Sequence, residues 1–212
     1  EVAVGEWGGW VWINLAGPDK AVPLMESIGS EISMDLGAFK MEEMILHEVL
    51  EWDVPINYKT IVDGFNEIYH VTQLHHSPPE FTKATRSASF HVTGDNFMCF
   101  VPRPQSLDEL TSDDYDHHRN SICHYVVFPN TIFNCNPEHI QVFQPIPLGV
   151  DRTKFLCWQI IYPGDQDDPN QGDPVGNRGH KFNLPGNFLP ATGWYQTLPG
   201  KTSSNRAPWT AR

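Results

Sequence analysis

Apolar and polar residues alternate over several short runs of the chain, and turn residues bound most of these runs. Trp10-Val11-Trp12-Ile13-Asn14-Leu15 carries the bulky aromatic and β-branched content of a strand. Residues 44–52 alternate as a longer strand, with Ile45 and Val49 on one side and Met44, Leu46 and Leu50 on the other. Residues 87–101 predict a hairpin, because Gly94-Asp95-Asn96 supplies turn chemistry between Phe90-His91-Val92 and Phe97-Met98-Cys99-Phe100. Further strands are expected at 122–128, 131–135, 140–145 and 153–162, and their short connections predict an antiparallel sheet.

One segment changes period. Between Asn57 and Leu74 the apolar positions Ile61, Phe65, Ile68 and Thr72 recur at helical spacing. Pro55 precedes the run and Ser77-Pro78-Pro79 is expected to stop it, because proline cannot continue the helical hydrogen-bond ladder. A long helix held by an antiparallel sheet is an α+β arrangement.

The 212 residues carry a formal charge of −12 and 40% hydrophobic content, enough for one sizeable domain with a core. The acidic balance argues against nucleic acid and anionic lipid as partners, and no apolar run is long enough to span a membrane. Cys99, Cys123, Cys135 and Cys157 stand far apart, and the N-terminus shows no targeting pattern. Both features predict a reduced, cytoplasmic setting. Residues 1–163 form the expected domain. From Gly164 onward the chain is rich in Pro, Gly and Asn, has four acidic against five basic residues, and shows no period, so residues 164–212 read as an irregular tail.

The helical segment concentrates the chemistry. Asp63, Glu67 and His70 are spaced four and three apart and fall on one helical face. His75 lies five beyond His70, which in an ideal helix aims it about 140° away, so both rings reach one metal only if the last turn widens or unwinds. Two neutral imidazoles and a carboxylate on one face of a metal suit a non-haem Fe(II) centre that activates O₂. Spacing alone leaves a second reading open, in which the histidines decorate a helix end and interact with its last carbonyls.

Asn57-Tyr58-Lys59, then Asp63, then Glu67-x-Tyr69-His70-x4-His75 resembles the iron-binding helix of Rieske non-haem iron oxygenases, the aromatic ring-hydroxylating α-subunit family. Trp7-Gly8-Gly9-Trp10-Val11-Trp12-Ile13-Asn14-Leu15 is similar to the strand that follows the Rieske domain there. Phe128-Pro129-Asn130 and Gln144-Pro145-Ile146-Pro147-Leu148 resemble paired strands of the catalytic domain, and the likeness covers about residues 5–163. The resemblance implies a helix-grip fold, an antiparallel sheet wrapped around a long helix. It implies mononuclear Fe(II) held by His70 and His75, and places Glu67 as the acid linking the iron to a neighbouring subunit's Rieske cluster. Asp63 stands where the family places Asn or an acid near the iron. Tyr69 is a frequent family residue and receives no role.

The same resemblance implies O₂ and an aromatic or other apolar substrate, dihydroxylated or monohydroxylated, with quaternary-ammonium monooxygenation a nearby alternative. Electrons are expected from NAD(P)H through a reductase or ferredoxin, and the full-length protein as a homotrimer or α/β hetero-oligomer. Phe65, Phe90, Phe97, Met98, Phe100 and Phe133 are candidates for the substrate wall or for core. A Rieske two-iron two-sulfur cluster needs Cys-x-His and Cys-x-x-His pairs, and no Cys here precedes a His at those spacings. The cluster is therefore expected only on an N-terminal domain outside this sequence, and the chain, which has no initial Met, reads as a fragment or frameshifted product. The third iron ligand of the family is a downstream carboxylate. Asp151, Asp165, Asp167, Asp168 and Asp173 are the acids available, none lies in a helical pattern, and the position stays unassigned. A non-catalytic helix-grip module that holds an apolar ligand without functional iron is the alternative.

Outside that segment, His117-His118 follow Asp113-Asp114-Tyr115-Asp116 and read as a solvated loop, with weak metal binding as the second reading. His47 and His91 are isolated strand residues, and Trp7, Trp10 and Trp12 are expected to pack structurally. His76 is the less favoured substitute for His75.

Overall fold

The computed structural model describes residues 1–74 and 79–164. Strands β1 (Ala3–Trp7) and β2 (Trp10–Asn14) form a hairpin of their own. The main sheet comprises β3 (Ile45–Val54), β4 (Ser89–Thr93), β5 (Asn96–Pro102), β6 (Ser121–Val127), β7 (Thr131–Cys135), β8 (His139–Pro147) and β9 (Thr153–Ile161). Its order is β3-β9-β8-β7-β6-β5-β4 and every pairing is antiparallel. Every strand expected from alternation is present, to within a few residues at its ends.

Alternation sorts the sheet into two buried faces. On one, Cys123, Tyr125, Val127, Phe133, Cys135 and Val142 pack with Ile28, Ile32 and Leu36. Those three residues come from two helices that the pattern did not reveal, α1 (Leu24–Ile28) and α2 (Ser30–Gly37). Trp7, Trp10 and Trp12 pack against this face, and Trp10 meets Phe133 and Trp158 edge-on, in keeping with their expected structural role. On the other face, Val126, Ile132, Phe143, Phe155 and Cys157 bury Ile61 of α3 (Tyr58–Phe65).

Side-chain amides lock these layers together. Gly94 takes a positive φ of 58° in the turn that joins Thr93 to its register partner Asn96, a conformation that glycine adopts without strain. Asn96 starts β5 rather than ending the turn. It is 4% exposed, and its Nδ2 donates to the carbonyls of Ser27 and Ile28 at 2.8 and 3.0 Å while its Oδ1 accepts from Phe128 N–H at 2.9 Å. One buried amide thus satisfies carbonyls at the end of α1 and a strand-end N–H together. At the start of α3, Asn57 Oδ1 accepts from Lys59 N–H at 3.0 Å as the N-cap, and Asn57 Nδ2 donates to the Val150 carbonyl.

The expected long helix is two helices. α3 stops at Phe65 and α4 (Tyr69–Leu74) starts afresh. Gly64 and Asn66 are weak helix formers, Asn66 N–H folds back to the Asp63 carbonyl at 3.1 Å, and Glu67 Oε2 accepts the His70 N–H at 3.1 Å. Side-chain capping therefore replaces helical continuity across Asn66, Glu67 and Ile68, although the apolar spacing runs through them. α4 ends at Leu74, before the proline pair, and Pro79 opens α5 (Pro79–Arg86), a position where its missing N–H is harmless.

Candidate active site

The break between α3 and α4 builds the site. Glu67 and His70 are both partly buried, with 20% and 18% of their side chains exposed. The Glu67 carboxylate holds His70 twice, accepting its backbone N–H at 3.1 Å and pairing with its Nδ1. A carboxylate at Nδ1 favours the tautomer that donates from Nδ1, the one a metal at Nε2 requires. Asp63 is exposed on α3. The interrupted helix means that Asp63, Glu67 and His70 do not share one continuous helical face.

A layer of rings supports this turn from the sheet. Phe65 stacks on His124 with centroids 5.4 Å apart and planes 7° apart, and it lies 5.1 Å from Phe143 and 6.5 Å from Phe155. Burial pushes the His124 imidazole down to about 4, with Asn134 and the Phe65 backbone opposing only in part and the nearby His70 adding to the depression. His124 is therefore neutral, and its buried Nε2 has no hydrogen-bond partner among the described residues. His124 was not singled out from the sequence, because one polar residue on a strand has no local pattern to mark it.

The remaining expectations divide. His75, His76, Asp165, Asp167, Asp168, Asp173 and the tail from 165 lie outside the described residues. Asp151 sits between β8 and β9. Of the candidate substrate-wall residues, Phe65 and Phe97 pack on the α3 face. Met98, Phe100 and Phe133 belong to the opposite face and are core there, since alternate residues of a strand cannot face one cavity. Phe90 is 51% exposed. His117 and His118 are not a solvated loop. They open a short helix, α6 (His117–Asn120), with their rings against Phe100 and Phe39 and their nitrogens on Asp35.

Solved structures share this architecture. The quaternary ammonium Rieske monooxygenase CntA in complex with the inhibitor MMV12 matches with a TM-score of 0.62 and 16% identity, over 76% of this chain and 42% of its own. The same enzyme with L-carnitine gives 0.59 and 19%, over 79% and 44%. Naphthalene 1,2-dioxygenase from Rhodococcus sp. bound to indole gives 0.60 and 15%, over 76% and 45%. The chain thus spans less than half of each of these proteins, and the likeness defines its fold as that of Rieske oxygenase catalytic domains. The model of the ring hydroxylating alpha subunit catalytic domain matches residues 41–173, and the chain belongs to that family. No curated protein matches it by sequence.

Proposed function

We propose that this chain forms the iron-binding part of a Rieske-type oxygenase catalytic domain, with His70 and His75 as the imidazole ligands of a mononuclear Fe(II). The carrying observation is the double hold of Glu67 on His70, which fixes the ring through its backbone N–H and its Nδ1. Ferrous iron, when bound, supplies the redox centre at which O₂ is reduced. Glu67 keeps the proton on His70 Nδ1 and, from its partly exposed position, offers its carboxylate to an electron-donating domain. Neutral His124 and the Phe65–Phe143–Phe155 layer exclude water behind the site and favour an aromatic or other apolar substrate. In the whole protein, electrons would come from a Rieske cluster fed by a ferredoxin or reductase, the cluster belonging to a neighbouring subunit of a homotrimer or α/β hetero-oligomer in the cytoplasm.

Iron retention tests this reading. The chain is purified anaerobically, reconstituted with Fe(II), desalted and assayed for metal beside His70→Ala. The unmodified chain is expected to keep iron that His70→Ala loses. Equal retention by the two would leave the chain as a helix-grip module without an iron centre.

A further inference from the structure

A group of side chains of metal-ligating type lies on the other face of the sheet. Asp35 comes from α2, whose Ile32 and Leu36 pack with Tyr125 and Cys123, whereas the α3 face carries Val126. His117 and His118 open α6, capped by the Asp116 carboxylate, which accepts the His118 N–H at 3.0 Å. One ligand atom from each of Asp35, His117 and His118 lies within 4.8 Å of the others, and no other such trio occurs among the described residues.

The three groups converge on one point. His117 Nε2 lies 2.8 Å and His118 Nε2 3.2 Å from the same oxygen, Asp35 Oδ1. His118 Nε2 also lies 3.0 Å from the Asp35 backbone carbonyl. The other carboxylate oxygen, Oδ2, is held by the Tyr125 hydroxyl at 2.6 Å, which orients the carboxylate and leaves Oδ1 to the imidazoles. Behind His118, Asp116 Oδ1 stands 3.5 Å from Nδ1, the outer carboxylate that commonly backs a metal-bound imidazole. The rings are fixed in place, His117 edge-on to Phe100 at 4.8 Å and His118 edge-on to Phe39 at 5.1 Å. Side-chain exposures of 37%, 26% and 20% for His117, His118 and Asp35 let an ion enter from solvent and keep water as a further ligand.

We propose that Asp35, His117 and His118 bind a divalent transition-metal ion, Zn²⁺ by donor set, joining α2 to α6 on the face of the sheet opposite His70. Two imidazoles and one carboxylate with room for water match zinc, whereas Ca²⁺ and Mg²⁺ take oxygen-dominated sets. An ion at this point replaces the crowding of two imidazole nitrogens on one oxygen by three bonds to one cation. It also adds to what holds helix α2, namely its apolar side chains, the Glu31–His91 pair and the Asp35 hydrogen bonds.

The test uses the whole chain carrying His70→Ala, so that the candidate iron site does not contribute. After chelator treatment it is titrated with Co²⁺, whose visible absorption reports low coordination, and Zn²⁺ is then used to displace it. The expected result is one Co²⁺ per chain that Zn²⁺ displaces, with a rise in melting temperature when Zn²⁺ is added. Adding His117→Gln and His118→Gln should abolish both. Asp35→Asn, which still accepts hydrogen bonds, should weaken Co²⁺ at least tenfold while circular dichroism stays unchanged. Failure of the His70→Ala chain to bind stoichiometrically, or equal binding by the glutamine or Asp35→Asn variants, would show a hydrogen-bonded cluster only and overturn the proposal.

Discussion

Replacing Glu67 by Ala removes both hydrogen bonds that hold His70, one to the backbone at 3.1 Å and one to Nδ1, in a setting where both side chains are about four-fifths covered. The freed Nδ1 then exchanges tautomers with Nε2, and the ring turns about its χ angles. Loss of an outer-shell partner of this kind lowers metal affinity by roughly 10- to 100-fold, about 1.4–2.7 kcal/mol. The backbone bond adds about 1 kcal/mol of local order at the start of α4. Glu67→Gln keeps a neutral acceptor and should weaken iron by about tenfold, the lower bound of that range. Anaerobic competition against a chelator of known Fe(II) affinity gives the dissociation constants, and far-ultraviolet circular dichroism verifies that the fold is retained. If Glu67→Ala holds Fe(II) as tightly as the unmodified chain, the assignment of Glu67 as the residue that positions His70 is wrong.

Phe65→Ala removes the ring that bridges His124, Phe143 and Phe155 and should cost about 3 kcal/mol in urea unfolding, because the surrounding strands cannot collapse into the gap. Asn96→Ala leaves two helix-end carbonyls and the Phe128 N–H without their partner, and a loss of about 2–3 kcal/mol is expected in the same assay. His124 and His139 are both pushed down to about 4 by burial, whereas the unfolded chain takes up those protons near the ordinary value of 6.5. The unfolded state therefore binds more protons between those values. Stability is fully present above 6.5 and falls as pH drops toward 4, by up to ~3 kcal/mol for each residue, and His124→Phe should remove part of that slope in pH-dependent unfolding curves.

The sheet was legible because its signals are local. A strand that buries both faces still alternates in residue size and turn chemistry, so residues 131–135 were placed to the residue and the Gly94 turn to within one position. Helices α1 and α2 were not, since each is short and they meet at Gly29, whose φ of 80° breaks any shared period. The break at Asn66–Ile68 was hidden for a different reason. The apolar residues on either side keep helical spacing, and only the Asn66 backbone bond to Asp63 and the Glu67 side-chain cap reveal that the backbone departs from it. Glu67 and His70 were readable because they are three residues apart. Asp35 and His117 are 82 residues apart, and nothing in a local pattern brings them together. The Asp35 carboxylate that the His117–His118 pair meets emerges only when α2 is laid against β6.

In the proposed centre His70 Nε2 faces a mononuclear iron with Glu67 behind it. Anomalous diffraction from Fe(II)-loaded crystals, recorded on either side of the iron absorption edge, locates the metal directly. A peak is expected within bonding distance of His70 Nε2, with His75 as a second imidazole ligand and Glu67 still on Nδ1. Iron found elsewhere, or His70 turned to donate Nε2–H to a protein acceptor in the loaded crystal, would contradict it.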